Sequence, residues 1–82
     1  MDNQHPVGIN RTTLLDALCQ LNAAGVVSVM TNGAPPRDID DEIGDVGHEG
    51  DDGRDYAVID HAIYPVRADG VVESVPAYRG TR

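Results

Sequence analysis

With 82 residues, a net charge of −8, no Phe or Trp, three Tyr and one Cys, the chain has room for one small domain with an aliphatic core. A lone Cys19 excludes an internal disulfide, and no apolar run approaches the ~20 residues that span a bilayer. The acidic balance disfavours anionic lipid and nucleic acid as direct partners.

Met1 to Val7 is polar and interrupted by Pro6, and reads as a loose lead-in. It lacks the basic region and apolar run of a secretion signal, so the cytoplasm is the expected compartment. Asn10, Thr12 and Thr13 can each cap a helix. Thr13 with Asp16 three residues on is a shortened capping box, which places the helix start near Thr13. Leu14, Ala17, Leu18, Leu21 and Ala24 then recur at spacings of three and four, one stripe of a helix that leaves Asp16, Gln20 and Asn22 off it. Gly25 offers positive φ where that helix would stop, and Val26, Val27, Val29 and Met30 follow as a β-branched run of strand length.

Asn32-Gly33 is a hairpin signal, but Ala34-Pro35-Pro36 cannot supply ladder donors, so the chain is expected to leave the sheet there. Ile39, Ile43 and Val46 stand at helical spacing, consistent with a turn or two of helix ended at Gly44 or with an irregular edge strand. Gly44, Gly47, Gly50 and Gly53 fall at every third position among acids, a composition that predicts a mobile, solvated loop. Tyr56 to Arg67 alternates as one strand. Asp69-Gly70 reads as a two-residue turn returning through Val71 to Ala77, with Val66 opposite Glu73 and Ile63 opposite Pro76. Pro76 makes that last strand an edge and gives the Tyr56 strand two neighbours, while Arg79, Gly80, Thr81 and Arg82 read as a short basic tail. The expected fold is a single α+β domain over 1–82: one helix packed on a small, mostly antiparallel three-stranded sheet, with a long acidic Gly-rich loop over 37–55. A core this modest predicts marginal stability or support from a partner, a homodimer included.

Segment 37–55 holds Asp38, Asp40, Asp41, Glu42, Asp45, Glu49, Asp51, Asp52 and Asp55 against Arg37 and Arg54, and so carries nearly all of the net charge. Its bland reading is a solvated face. Adaptation to a salty cytoplasm would spread acids over every surface, whereas one localised cluster favours an anionic site. Asp45, His48, Glu49, Asp51 and Asp52 suggest a divalent cation, but a helix-flanked calcium loop begun at Asp45 fails at its third ligand and at its last, where Tyr56 stands. Cys19 with Asp60-His61 suggests a nucleophile and base. Neighbours on one strand point to opposite faces, however, and Cys19 follows Leu18 as a small hydrophobe. The glycine-rich stretch has no lysine to hold phosphate, and Arg11, Arg67, Arg79 and Arg82 look too scattered to bind nucleic acid. No catalytic residue, cofactor or metal is assigned.

A field of one sign steers association with a surface of the opposite sign, and basic surfaces of that kind belong to proteins that handle nucleic acid. The expected function is therefore a non-enzymatic acidic module, acting by nucleic-acid mimicry, that docks through the nine carboxylates on a basic surface of another protein and blocks it. In size and charge the chain is similar to small phage-encoded inhibitors of host defence, anti-CRISPR and anti-restriction proteins among them, a likeness of type. The alternatives are a cation-binding regulatory domain and an accessory subunit of a larger assembly whose acids serve solubility.

Overall fold

Local chemistry at the first helix sets the frame. The computed structural model describes residues 9–81, so the lead-in expected over 1–7 and Arg82 of the expected tail lie outside the described residues. β1 (Arg11–Thr12) leads directly into α1 (Leu14–Ala23), whose N-cap is Thr13; its carbonyl, not its hydroxyl, serves the helix, accepting from the Ala17 N–H at 2.8 Å. Leu14, Ala17, Leu18 and Leu21 are the buried stripe, whereas Ala24 falls at the C-cap and is exposed. Gly25, at φ 93°, ends the helix in a Schellman arrangement. Its N–H donates to Asn22 O and that of Val26 to Leu21 O, and Val26 and Leu21 enter the same core.

β2 (Ser28–Thr31) then pairs with β3 (Pro36–Asp38) through Ser28↔Asp38, Val29↔Arg37 and Met30↔Pro36. The chain therefore does not leave the sheet at Asn32-Gly33. Gly33 takes φ 80°, Ala34 N–H closes the turn on Thr31 O at 3.0 Å, and Pro36 is tolerated because β3 is an edge strand. α2 follows immediately, over Ile39–Glu49. The segment expected to be a mobile loop is thus helical as far as Glu49, passing through both Gly44 and Gly47 before Gly50 ends it at φ 83°. Two glycines cost a helix ~1 kcal/mol each relative to alanine. Several features offset that cost: the Asp38 carboxylate accepting from Asp40 N–H at 2.9 Å, the acids of the first turn facing the positive end of the helix dipole, and burial of Ile39 and Val46.

The expected long strand is two. β4 (Asp55–Ile59) and β5 (Ala62–Val66) form a hairpin closed by Asp60 and His61, at φ 54° and 66°. Two central residues at positive φ match the twist of paired strands, and Asp and His are among the non-glycine residues that enter this region most readily. A turn stands here, but it has three residues, Ala68, Asp69 and Gly70, between Arg67 and Val71, with Arg67 N–H donating to Val71 O at 2.9 Å, where two residues were expected. The register differs accordingly: Val66 faces Val72, one residue short of Glu73, and Ile63 faces Tyr78, two residues beyond Pro76. The returning segment makes no long strand. It reaches β6 (Tyr78–Gly80), which inserts between β5 and β2, so the expected tail is an interior strand.

Over the described residues the fold is α+β with two helices and a six-stranded antiparallel sheet, order β1-β4-β5-β6-β2-β3, where one helix and three strands were expected. β4 has two neighbours, as expected. Both helices lie on one face: α1 packs on β4, β5 and α2, and α2 packs on β2 and β3. Leu18, Leu21, Val26, Val29, Ile39, Tyr56 and Ile63 meet between the layers. Among the described residues no helix is long and apolar enough to cross a membrane.

Candidate functional site

Helical geometry sorts the acids of segment 37–55 into different roles. At 100° per residue, Ile39, Ile43 and Val46 define the inward face of α2, and Gly47 lies beside it, where an added Cβ would be 3.9 Å from Leu15 Cδ1 of α1. Asp41, Asp45 and Glu49, four apart, line the flank away from α1, ~6 Å per step along the axis. Asp40 points the other way, towards α1, and its Oδ1 accepts from Asn22 Nδ2 at 3.5 Å.

Glu42 is the one acid of the nine that is buried, at 5% exposure. Its Oε1 stands 3.0 Å from Arg37 Nη1, an ion pair whose angles fall short of a hydrogen bond. Arg37 also pairs with Asp45, so one arginine on β3 is clasped by two carboxylates of α2, and the Asp45 hydrogen bond, then the Glu42 charge, raise its pKa. The Tyr78 phenol lies in the same place. Burial, then the Glu42 carboxylate, push it up to about 12. Glu42 is thus a buried acid that links α2 to Arg37 of β3, unlike the other eight, which are not buried.

After α2 the chain turns without helix or strand yet is not loose. Asp51 accepts from Gly53 N–H at 3.0 Å and Asp52 from Arg54 N–H at 3.1 Å, two successive side-chain turns. Asp52 also accepts from Tyr56 Oη at 2.5 Å. That hydrogen bond lowers the Asp52 pKa, while burial, then Asp52, raises that of Tyr56. The acidic turn is thereby pinned to a core residue of β4.

These parts enclose a polar cleft of about 400 Å³. Its floor is Leu14 and Val46, and its walls are Arg37, Glu42, Asp45, Glu49, Asp51, Asp52 and Tyr78. Of the nine acids proposed from the sequence, five therefore converge. Asp41 stands on the rim side of the helix, Asp38 caps it, Asp40 faces α1, and Asp55 opens β4 beside a different cleft. His48 is exposed and absent from the cleft wall, so it does not join Asp45, Glu49, Asp51 and Asp52. Among the described residues no three His, Cys, Asp or Glu side chains stand where they could hold a metal ion. Cys19 is exposed on α1, and His61 lies in the β4–β5 turn with Asp60, not on a strand.

Sequence reasoning missed Arg37, Tyr56 and Tyr78 as parts of this site. The i, i+5 and i+8 spacing of Arg37, Glu42 and Asp45 was the available signal for the first. The tyrosines arrive through β4 and β6, which no local pattern announces. The chain matches no protein-family model, no curated protein and no solved structure.

Proposed function

We propose that this chain is a non-enzymatic binding module that docks the outer flank of α2 and the turn beyond it on a basic, nucleic-acid-handling surface of another protein, and blocks that surface without itself touching nucleic acid. The observation that supports it is the ordered alignment of Asp41, Asp45 and Glu49 on one helix flank, continued by Asp51 and Asp52. Carboxylates held in place on a helix lose less conformational freedom on binding than the same charges on a mobile loop, and preorganisation of this kind raises affinity. Their ~6 Å step repeats negative charge at a regular interval, as phosphates do along a nucleic-acid strand, so cationic groups on a partner that hold phosphates have acceptors here too. Charge of one sign at a single place also speeds encounter with a basic surface.

The test is competition. Proteins retained on the immobilised chain at low salt are eluted and assayed for duplex DNA and RNA binding in the presence and absence of the free chain. The expected result is that a retained protein binds nucleic acid and loses it to the chain, and that a chain carrying Asp41→Asn, Asp45→Asn and Glu49→Gln does not compete. Simultaneous binding of chain and nucleic acid, or equal competition by the variant, would contradict the proposal.

A further inference from the structure

Arg11, Arg54 and Arg67 are remote in sequence but share one wall. Arg11 comes from β1, Arg54 from the turn before β4 and Arg67 from the turn that follows β5, and together with Gly53, Asp55 and Gly70 they line a cleft of about 330 Å³. A cleft of this volume lies at the lower end of those that hold small molecules, ~300 Å³ upward. Half of the arginines of an acidic chain are gathered there.

Arg11 is set in position by the fold. Its Nη2 donates to Gly70 O at 2.8 Å, and an ideal Cβ on Gly70 would stand 2.8 Å from that same nitrogen, so the guanidinium occupies the space the glycine leaves open. Among the described residues Arg11 makes no other side-chain hydrogen bond, which leaves its other N–H groups for a ligand. Arg54 meets Glu73 at 3.5 Å and Arg67 meets Asp69 at 2.9 Å, each pair about half exposed. Exposed pairs of this kind contribute little and yield to a stronger acceptor. Planar guanidinium groups from three elements, all lining one cleft, suit an oxyanion with several acceptor atoms, because a guanidinium can present two parallel N–H donors. Asp55 is the opposing charge, one carboxylate in the wall against three arginines.

We propose that the cleft between Arg11, Arg54 and Arg67 binds a phosphate group, free or carried at the end of a small molecule. It is separate from the acidic cleft and independent of the docking function proposed for α2.

The experiment is an NMR titration of the full chain with inorganic phosphate at ionic strength held constant with sodium chloride, followed at the backbone amides of Arg54, Arg67 and Gly70. Saturable shifts at those amides are expected. Arg54→Gln and Arg67→Gln should each weaken binding by about tenfold, the loss of one charge-assisted bidentate contact. Arg79→Gln, on β6 and outside the cleft, should leave binding unchanged, and Asp55→Asn should tighten it several-fold. All four positions are exposed, and a dispersed spectrum confirms that each variant is folded. A parallel titration with adenosine monophosphate identifies the carrier: tighter binding than phosphate indicates a small-molecule ligand, and equal binding the free ion. The proposal is overturned if the shifts are linear in phosphate and matched by added chloride, or if the double variant Arg54→Gln with Arg67→Gln titrates like the native chain.

Discussion

Two glycines show how differently a missing Cβ can matter. At Gly70 the requirement is conformational, because φ is +90° and the nearest atoms to an added Cβ belong to the flexible end of Arg11. Gly70→Ala should cost on the order of 1 kcal/mol, from strain at positive φ. At Gly80 the requirement is space. An added Cβ would lie 2.8 Å from the His61 carbonyl oxygen and 2.9 Å from Val26 Cγ1, and the carbonyl cannot withdraw because it accepts the Gly80 N–H at 2.6 Å. Gly80→Ala should therefore destabilise by roughly 1–3 kcal/mol, as overpacking does, and more than Gly70→Ala. Thermal melting of the two variants side by side checks the order. A Gly80→Ala protein that melts like the native chain would mean that β6 is not inserted between β5 and β2.

The elements differ in how far the sequence alone announces them, and the reasons are physical. α1 is legible from Leu14 to Gly25 because its apolar stripe, its stop and the following strand all lie within one local stretch. α2 is half legible: Ile39, Ile43 and Val46 carry the period, but Gly44 and Gly47 argue against it, and their cost is offset by burial against α1, β2 and β3, which no local window contains. The β4–β5 turn left one usable sign, since a twelve-residue run from Tyr56 to Arg67 exceeds the usual strand of 3–10 residues. β6 left none, because Tyr78-Arg79-Gly80 becomes a strand only by filling the gap between two others. Of the candidate site, the charge was legible and its sorting was not: only the helix phase separates the buried Glu42 from the exposed Asp41 and Asp45. Gly44 gives the sharpest test at this scale. Among the described residues nothing lies within 4 Å of an added Cβ there, and the position is exposed. Gly44→Ala should thus stabilise the protein by ~0.5–1 kcal/mol, a rise of several degrees in melting temperature for a chain of this size. A mobile loop would show no change.

At the scale of the whole molecule, stability should be bounded by titration on both sides. Tyr78 is held protonated up to about 12 and Tyr56 is raised as well, each first by burial, while an unfolded phenol ionises near 10. The folded form therefore binds more protons above pH ~10, and stability present below that value is lost as pH rises from there towards 12. Asp52, lowered chiefly by its bond from Tyr56, and Asp69, lowered chiefly by the Val71 N–H, act in the opposite sense. Their contribution is present above the ordinary carboxylate range and is lost as pH falls through it. Melting temperature followed from pH 9 to 12 should hold to about pH 10 and decline from there, and a flat profile throughout would mean that the two phenols are not enclosed as described. The proposed function rests on charge held on a folded frame. Asp41, Asp45 and Glu49 belong to no apolar stripe, so Asp41→Asn with Asp45→Asn and Glu49→Gln should leave the fold intact, because the Arg37–Asp45 pair is exposed and contributes little. The most direct measurement is the association rate of native chain and triple variant with the protein it retains, at low and at physiological salt. A docking flank predicts fast association for the native chain that falls steeply with salt, and slower, salt-insensitive association for the variant. Equal rates for the two folded proteins at both salt concentrations would contradict it.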